Sequence, residues 1–249
     1  MIISVASQKG GTGKTTTSIT LAAGLGRDGK RVLLVDVDSQ ANASKVLLPD
    51  YRSIGRDATL YRTILQRQPL PVHQTGVPNV HIAPSHILLS NTDIELTTAK
   101  DHREARLKHG LDAVAGNYDH VIIDCPPALS WLTINAFTAS DGVLVVIGPG
   151  YFELDSINQI GKTLAEVQEY FNPHLRLLGY LFAMSDPTIN SRTSLKILRQ
   201  TYTEQVLKTV VPRNTDIRDA HFDKRDIFDY NPKAKSAQAY RNLIEELEL

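Results

Sequence analysis

Apolar runs and amphipathic stretches alternate along the chain. Residues 2–6, 31–36, 80–83, 120–124, 142–147 and 176–184 read as strands. The runs Val121-Ile122-Ile123 and Val143-Leu144-Val145-Val146-Ile147 are apolar without a polar alternate, the pattern of parallel strands covered on both faces. Helical periodicity predicts helices over residues 14–28, 101–116, 131–138, 154–171, 191–206 and 235–247. Strand–helix alternation of this kind implies right-handed crossovers and an α/β fold, a single doubly wound, mostly parallel sheet flanked by helices. Residues 49–79 are richer in Pro, Gly and Gln and are expected to form a surface excursion with one short helix at 60–66. With no repeat, low-complexity tract or linker in view, residues 1–249 are expected to be one domain.

Composition narrows the picture. A chain of 249 residues can bury a sizeable core. Its 27 basic and 27 acidic residues balance, so contact with nucleic acid has to come from a local patch. The single cysteine, Cys125, excludes an internal disulfide and any multi-thiolate metal site; it reads as a small buried filler. No apolar run approaches the roughly twenty residues that cross a bilayer, and the first strand leaves no room for a signal peptide. A cytoplasmic protein is expected.

Between the first strand and first helix lies Gln8-Lys9-Gly10-Gly11-Thr12-Gly13-Lys14-Thr15-Thr16. A buried strand, a glycine-rich turn and a helix start make a phosphate cradle, because backbone N–H groups and the helix dipole converge on one spot. Gly10, Gly11 and Gly13 let the backbone wrap oxygens closely. Lys14 faces the β- and γ-phosphates, and the Thr15 hydroxyl can ligate Mg²⁺. The usual loop begins with glycine where this chain has Gln8, and Lys9 is a second lysine inside it. The second strand ends Asp36-Val37-Asp38, and carboxylates two apart on a strand point the same way, here toward the loop. They could position the water that attacks the γ-phosphate, or hold the Mg²⁺ shell. A third element is the strand at 120–124, which delivers Asp124 before Cys125-Pro126-Pro127, an arrangement in which the carboxylate supports Mg²⁺.

Together these motifs resemble the ParA family of partition ATPases, the deviant Walker-box ATPases, nearly end to end. The carriers are the loop at 9–16, the segment Asp36-Val37-Asp38-Ser39-Gln40-Ala41-Asn42, Asp124-Cys125-Pro126-Pro127, Val210-Val211-Pro212-Arg213-Asn214 and the stretch 230–240. The resemblance implies a P-loop NTPase fold, ATP and Mg²⁺ as cofactors, and an ATP-dependent homodimer. Lys9 would be the signature lysine that reaches the partner's phosphates. Asp38 would orient the attacking water, with Thr15 on Mg²⁺ and Asp124 supporting it. Thr12 and Thr16 complete the loop, and Pro212 and Asn214 would line the adenine pocket. The ATP-bound dimer would bind nonspecific double-stranded DNA, place the protein on the nucleoid, and let go when a ParB-like or other cargo adaptor stimulates hydrolysis.

Six basic residues against two acidic ones fall between 190 and 218. Arg192, Lys196 and Arg199 recur at i, i+4 and i+7 and share a helix face that would grip phosphates without reading bases. Arg192 matches the family's DNA-contacting arginine. After Asn214 the family runs on to an arginine and a Ser-Glu-Ala-Pro stretch. Here the residues are Thr215-Asp216-Ile217-Arg218-Asp219-Ala220-His221, so Asp216 stands where that arginine is often found. Arg218, or Lys224 with Arg225, is left to supply the charge. Gly150, within Gly148-Pro149-Gly150-Tyr151-Phe152, stands where an acidic residue is usual. Two alternatives remain: a MinD-like membrane-cycling ATPase, opposed by the acidic ending Glu245-Glu246-Leu247-Glu248-Leu249, and a P-loop biosynthetic ligase or kinase.

Overall fold

The computed structural model describes the backbone of residues 1–249 and the side chains of residues 1–150 and 157–249. Among the described residues, eight strands form one sheet: β1 (Ile2–Ala6), β2 (Val32–Asp36), β3 (His73–Gln74), β4 (Val80–Ala83), β5 (His120–Asp124), β6 (Gly142–Ile147), β7 (Arg176–Ser185) and β8 (Val206–Pro212). Their order across the sheet is β3-β4-β2-β5-β1-β6-β7-β8, and only β3, paired with β4, runs antiparallel. The chain winds outward in both directions from β1, so the crevice beyond its carboxyl end is the topological switch point.

The unalternating strands are explained by two cores, one on each face. Leu33, Val35, Ile123 and Val145 pack under α5 (Arg106–Asp112), α6 (Trp131–Ala139) and α7 (Tyr151–Tyr170). Ile3, Leu34, Ile122 and Leu144 pack under α1 (Lys14–Arg27) and α11 (Lys235–Glu246). Successive strand residues therefore feed opposite cores, and neither face is left for polar positions. Between these elements lie α2 (Asn42–Leu47), α3 (Leu60–Gln66), α4 (Thr92–Thr98), α8 (Ile189–Tyr202), α9 (Thr215–Phe222) and α10 (Ile227–Tyr230).

The strands expected at 2–6, 80–83, 120–124 and 142–147 match the observed bounds, as does the short helix in the 49–79 excursion. The expected helix at 101–116 shrinks to α5, because a turn over 102–105 precedes it and a 3-10 turn at Ala115–Asn117 follows. The expected helix at 191–206 starts earlier, at Ile189, where the Thr188 side chain caps it by accepting from Ser191 N, and ends at Tyr202. Val206 instead begins β8, an edge strand not anticipated from the sequence, whose half-exposed pattern is weaker than that of the buried strands. Helices α2, α4, α9 and α10 lie outside the helices that the sequence pattern predicts. Helix α7 starts at Tyr151 rather than 154, and the side chains of Tyr151 and Phe152 lie outside those described.

Helix α1 lies so close to the sheet edge that a Cβ on Gly26 would run into the Pro78 carbonyl oxygen and approach Val80 Cγ2 to 2.6 Å. Backbone cannot yield as a side chain can. Gly26→Ala is therefore expected to lower stability by about 1–2 kcal/mol, the overpacking cost exceeding the helix-propensity gain of alanine. A urea midpoint that stays put or rises would refute this close packing.

Candidate functional site: a phosphate cradle and a base cavity

Helix α1 begins without a side-chain cap. Its N-cap is Gly13 at φ 97°, and no side chain accepts from the first-turn amides. Gly11, at φ 81°, also needs the left-handed region. The orphan N–H groups open onto a cavity of about 560 Å³ whose wall includes Gly10, Gly11, Lys14, Thr15, Asp38 and Gln40. Lys14 is buried, and its Nζ donates to the Lys9 carbonyl oxygen at 3.3 Å. Thr12 is buried as well, its hydroxyl turned to the same carbonyl at 3.4 Å. Lys9 is exposed on the outer turn of the loop. The two lysines thus differ in place: one lines the floor, the other faces outward.

The acids behind the cradle divide. Asp38 lines the cavity, with Oδ1 accepting from Gln40 N at 2.9 Å. Asp36 does not point the same way, contrary to the period-two expectation. The strand ends at Asp36, whose pairing with Asp124 is closed by Val37 N donating to the Asp124 carbonyl; beyond it Ala41 N closes a turn on the Asp38 carbonyl. Asp36 is wholly buried, its Oδ2 accepting from Ser44 N at 2.8 Å and Ser44 Oγ at 2.7 Å. It stands in register beside Asp124. Burial raises the Asp36 pKa, and the Asp124 charge adds to the rise. Burial raises that of Asp124 too, opposed by the hydroxyls of Thr15 and Ser18 and the Lys14 charge. Ser18 Oγ donates to Asp124 Oδ1 at 2.9 Å. Asp36 Oδ1 and Asp124 Oδ2 are buried without a hydrogen-bond partner among the described residues. The unpartnered oxygen of Asp124, the acid that the Thr15 hydroxyl faces, suits support of a hydrated divalent cation held by Thr15. Cys125, next in line, is buried with its thiol pushed up to about 12 by burial; it is inert filler, as expected.

A second cavity of about 340 Å³ adjoins the first, sharing Gly13, Thr16, Met184 and His221 with it. Pro212 and Asn214 line it, together with Ile217 and Tyr240. Asn214 is the N-cap of α9: Oδ1 accepts from Asp216 N at 2.8 Å, and Nδ2 donates to Ser236 Oγ at 3.1 Å. Its side chain holds α9 to the cavity wall, leaving one amide hydrogen for a base. Tyr240 Oη bonds Thr17 Oγ1 at 3.0 Å, tying α11 to the cradle helix. No local pattern marks His221 or Met184 as wall residues, since they and Tyr240 come from three distant elements.

Arg192, Lys196 and Arg199 are all exposed on α8, with Arg199 Nη2 near the Lys208 carbonyl at 3.4 Å. Arg218 stands apart from them on α9, where it lines the second cavity and pairs with Asp219 at 3.6 Å. Gly150 N donates to Ser194 Oγ, joining the start of α7 to α8.

A central parallel sheet with this uncapped glycine-rich turn at its switch point defines the P-loop NTPase class. Residues 1–177 match a family model described as an AAA domain. The chain is 38% identical over 253 residues to the sporulation initiation inhibitor protein Soj of Bacillus subtilis, spanning 99% of this chain and 97% of that protein. It is 40% identical over 247 residues to the chromosome-partitioning ATPase Soj of Thermus thermophilus, spanning 98% and 94%. A solved structure from Mycobacterium smegmatis, described as cobyrinic acid a,c-diamide synthase with bound ADP and magnesium, aligns with a TM-score of 0.83 at 32% identity over 98% of this chain and 92% of that one. The chain belongs to the Soj/ParA family of partitioning ATPases.

Replacing Asp36 by Asn should keep the two Ser44 contacts while removing one charge from the buried pair. Above the raised Asp36 pKa of about 8, without nucleotide or metal, Asp36→Asn is expected to be more stable than the wild type by about 1 kcal/mol, a difference that fades as the pH falls and Asp36 takes up its proton. A lower urea midpoint would show that the two carboxylates do not repel in the folded protein.

Proposed function

We propose that this protein is a magnesium-dependent partition or cargo-positioning ATPase. Its ATP-bound homodimer binds nonspecific DNA and is released when a ParB-like or other cargo adaptor stimulates hydrolysis. The observation that carries the reading is the split between Lys14, buried in the cradle, and Lys9, exposed on the outer turn of the same loop.

Lys14 and the first-turn amides of α1 would hold the β- and γ-phosphates of the substrate ATP. Pro212 and the one unused amide hydrogen of Asn214 would meet adenine in the second cavity. Magnesium, when bound, supplies charge neutralisation at the phosphates. Thr15 would hold it directly and Asp124 from behind. Asp38, on the cavity wall, would accept a proton from and orient the attacking water. Lys9 would extend to the phosphates held by a second copy. A cation supplied in this way offsets phosphate charge only when two molecules meet, which couples nucleotide to pairing. The exposed face of Arg192, Lys196 and Arg199 would take DNA phosphates, giving salt-sensitive binding without base readout. Arg218, placed at the base cavity, is a weaker candidate for that footprint.

One comparison favours a second reading. The Mycobacterium smegmatis structure is described as an amide-forming synthase, which would make this chain a biosynthetic ligase. The two differ in what drives turnover: DNA and an adaptor in one case, a small carboxylic acid and an amide donor in the other.

Lys9→Ala is expected to bind ATP yet remain monomeric with a non-hydrolysable analogue and magnesium, and to lose most turnover. Light scattering and phosphate release read the two effects, and a Lys9→Ala protein that pairs and turns over like wild type defeats the reading. Arg192→Glu should pair normally but lose DNA retention by about tenfold or more at moderate salt, since one cation becomes an anion on the binding face. Unchanged retention in an electrophoretic shift assay would move the DNA face elsewhere.

A further inference from the structure

The segment in which this chain departs from its family, residues 215–221, folds into α9 and ends at the nucleotide cavities. The phosphate cavity and the base cavity meet along Gly13, Thr16, Met184 and His221. A nucleotide with its phosphates on the loop and its base beside Pro212 carries its ribose across that shared wall, because the sugar is the only covalent link between them. Gly13 offers no side chain and Met184 a thioether. Thr16, in the first turn of α1, lines both cavities and offers a hydroxyl. His221, in the last turn of α9, is the remaining polar side chain of the wall.

Its chemistry suits a sugar hydroxyl. Burial lowers the His221 pKa, with Asp226 opposing, so the ring is held in its neutral form. A neutral imidazole has one N–H donor and one acceptor nitrogen, and a hydroxyl can answer either. The capping of α9 by Asn214, itself held by Ser236, fixes the helix that carries the ring.

We propose that His221 is the ribose-recognition residue of this site, hydrogen-bonding a sugar hydroxyl of the bound nucleotide. The proposal rests on the nucleotide reading above and adds a specificity element that the loop motif does not contain. The same segment places Arg218 on the base cavity, so the departure retunes the nucleoside end of the site rather than the α8 face.

The test is calorimetric titration of the full chain with the magnesium complexes of ADP, 2′-deoxy-ADP and 3′-deoxy-ADP, using wild type, His221→Ala and His221→Phe. The phenylalanine variant keeps a ring in the wall without its nitrogens, and so carries the test if the alanine variant fails to fold. Wild type is expected to bind at least one deoxy analogue about three- to tenfold more weakly than ADP, the span of one neutral hydrogen bond. Both variants should bind ADP weaker by a similar factor and no longer distinguish it from that analogue. The proposal is overturned if wild type makes no distinction, or if the folded variants keep the wild-type ratio. Failure of wild type to bind ADP at all would instead bring down the nucleotide reading itself.

Discussion

The structure is organised around the unsatisfied amides at the start of α1. A helix N-terminus leaves backbone donors that need partners, and a side chain can supply one, as Asn214 does for α9. Here Gly13 cannot, and the loop before it is folded so that Lys14 reaches back to the Lys9 carbonyl instead of filling the space over the amides. The site is kept open because β1 lies in the middle of the sheet. Strands β5 and β6 clamp it on both sides, so the turn that follows starts from a rigid base and has little freedom to close on itself.

The same constraint explains the strained charge distribution beneath the loop. Asp36 and Asp124 stand at the carboxyl ends of adjacent strands, both fully buried, each with one unpartnered oxygen. Like charges side by side in the interior oppose folding. Ser44 and Ser18 satisfy one oxygen of each acid, and Ser44 Oγ also accepts from Ser85 N, knitting α2 to the segment after β4.

Beyond the phosphate cradle, the second cavity is walled largely by the last third of the chain. Pro212 ends β8, Asn214 caps α9, His221 closes that helix, and Tyr240 reaches from α11 to Thr17.

The loop at 9–16, Asp38, Asp124 and the basic period of 192, 196 and 199 were legible in the sequence because each is a local pattern. Glycines with a lysine between a strand and a helix, or cations at helical spacing, need no knowledge of distant residues. The buried strands were legible for the same reason, since covering on both faces leaves an apolar run. What the tertiary structure alone decided is contact between distant segments. Asp36 and Asp38 look equivalent in sequence, yet the strand ends between them, and pairing with β5 buries one beside Asp124 while the turn exposes the other to the cavity. His221 and Arg218 look like surface residues of a divergent stretch, yet β8 and the Asn214 cap carry them to the wall of the base cavity. Local patterns record what the backbone needs nearby; which side chains meet across the fold follows from packing, and packing has no period to read.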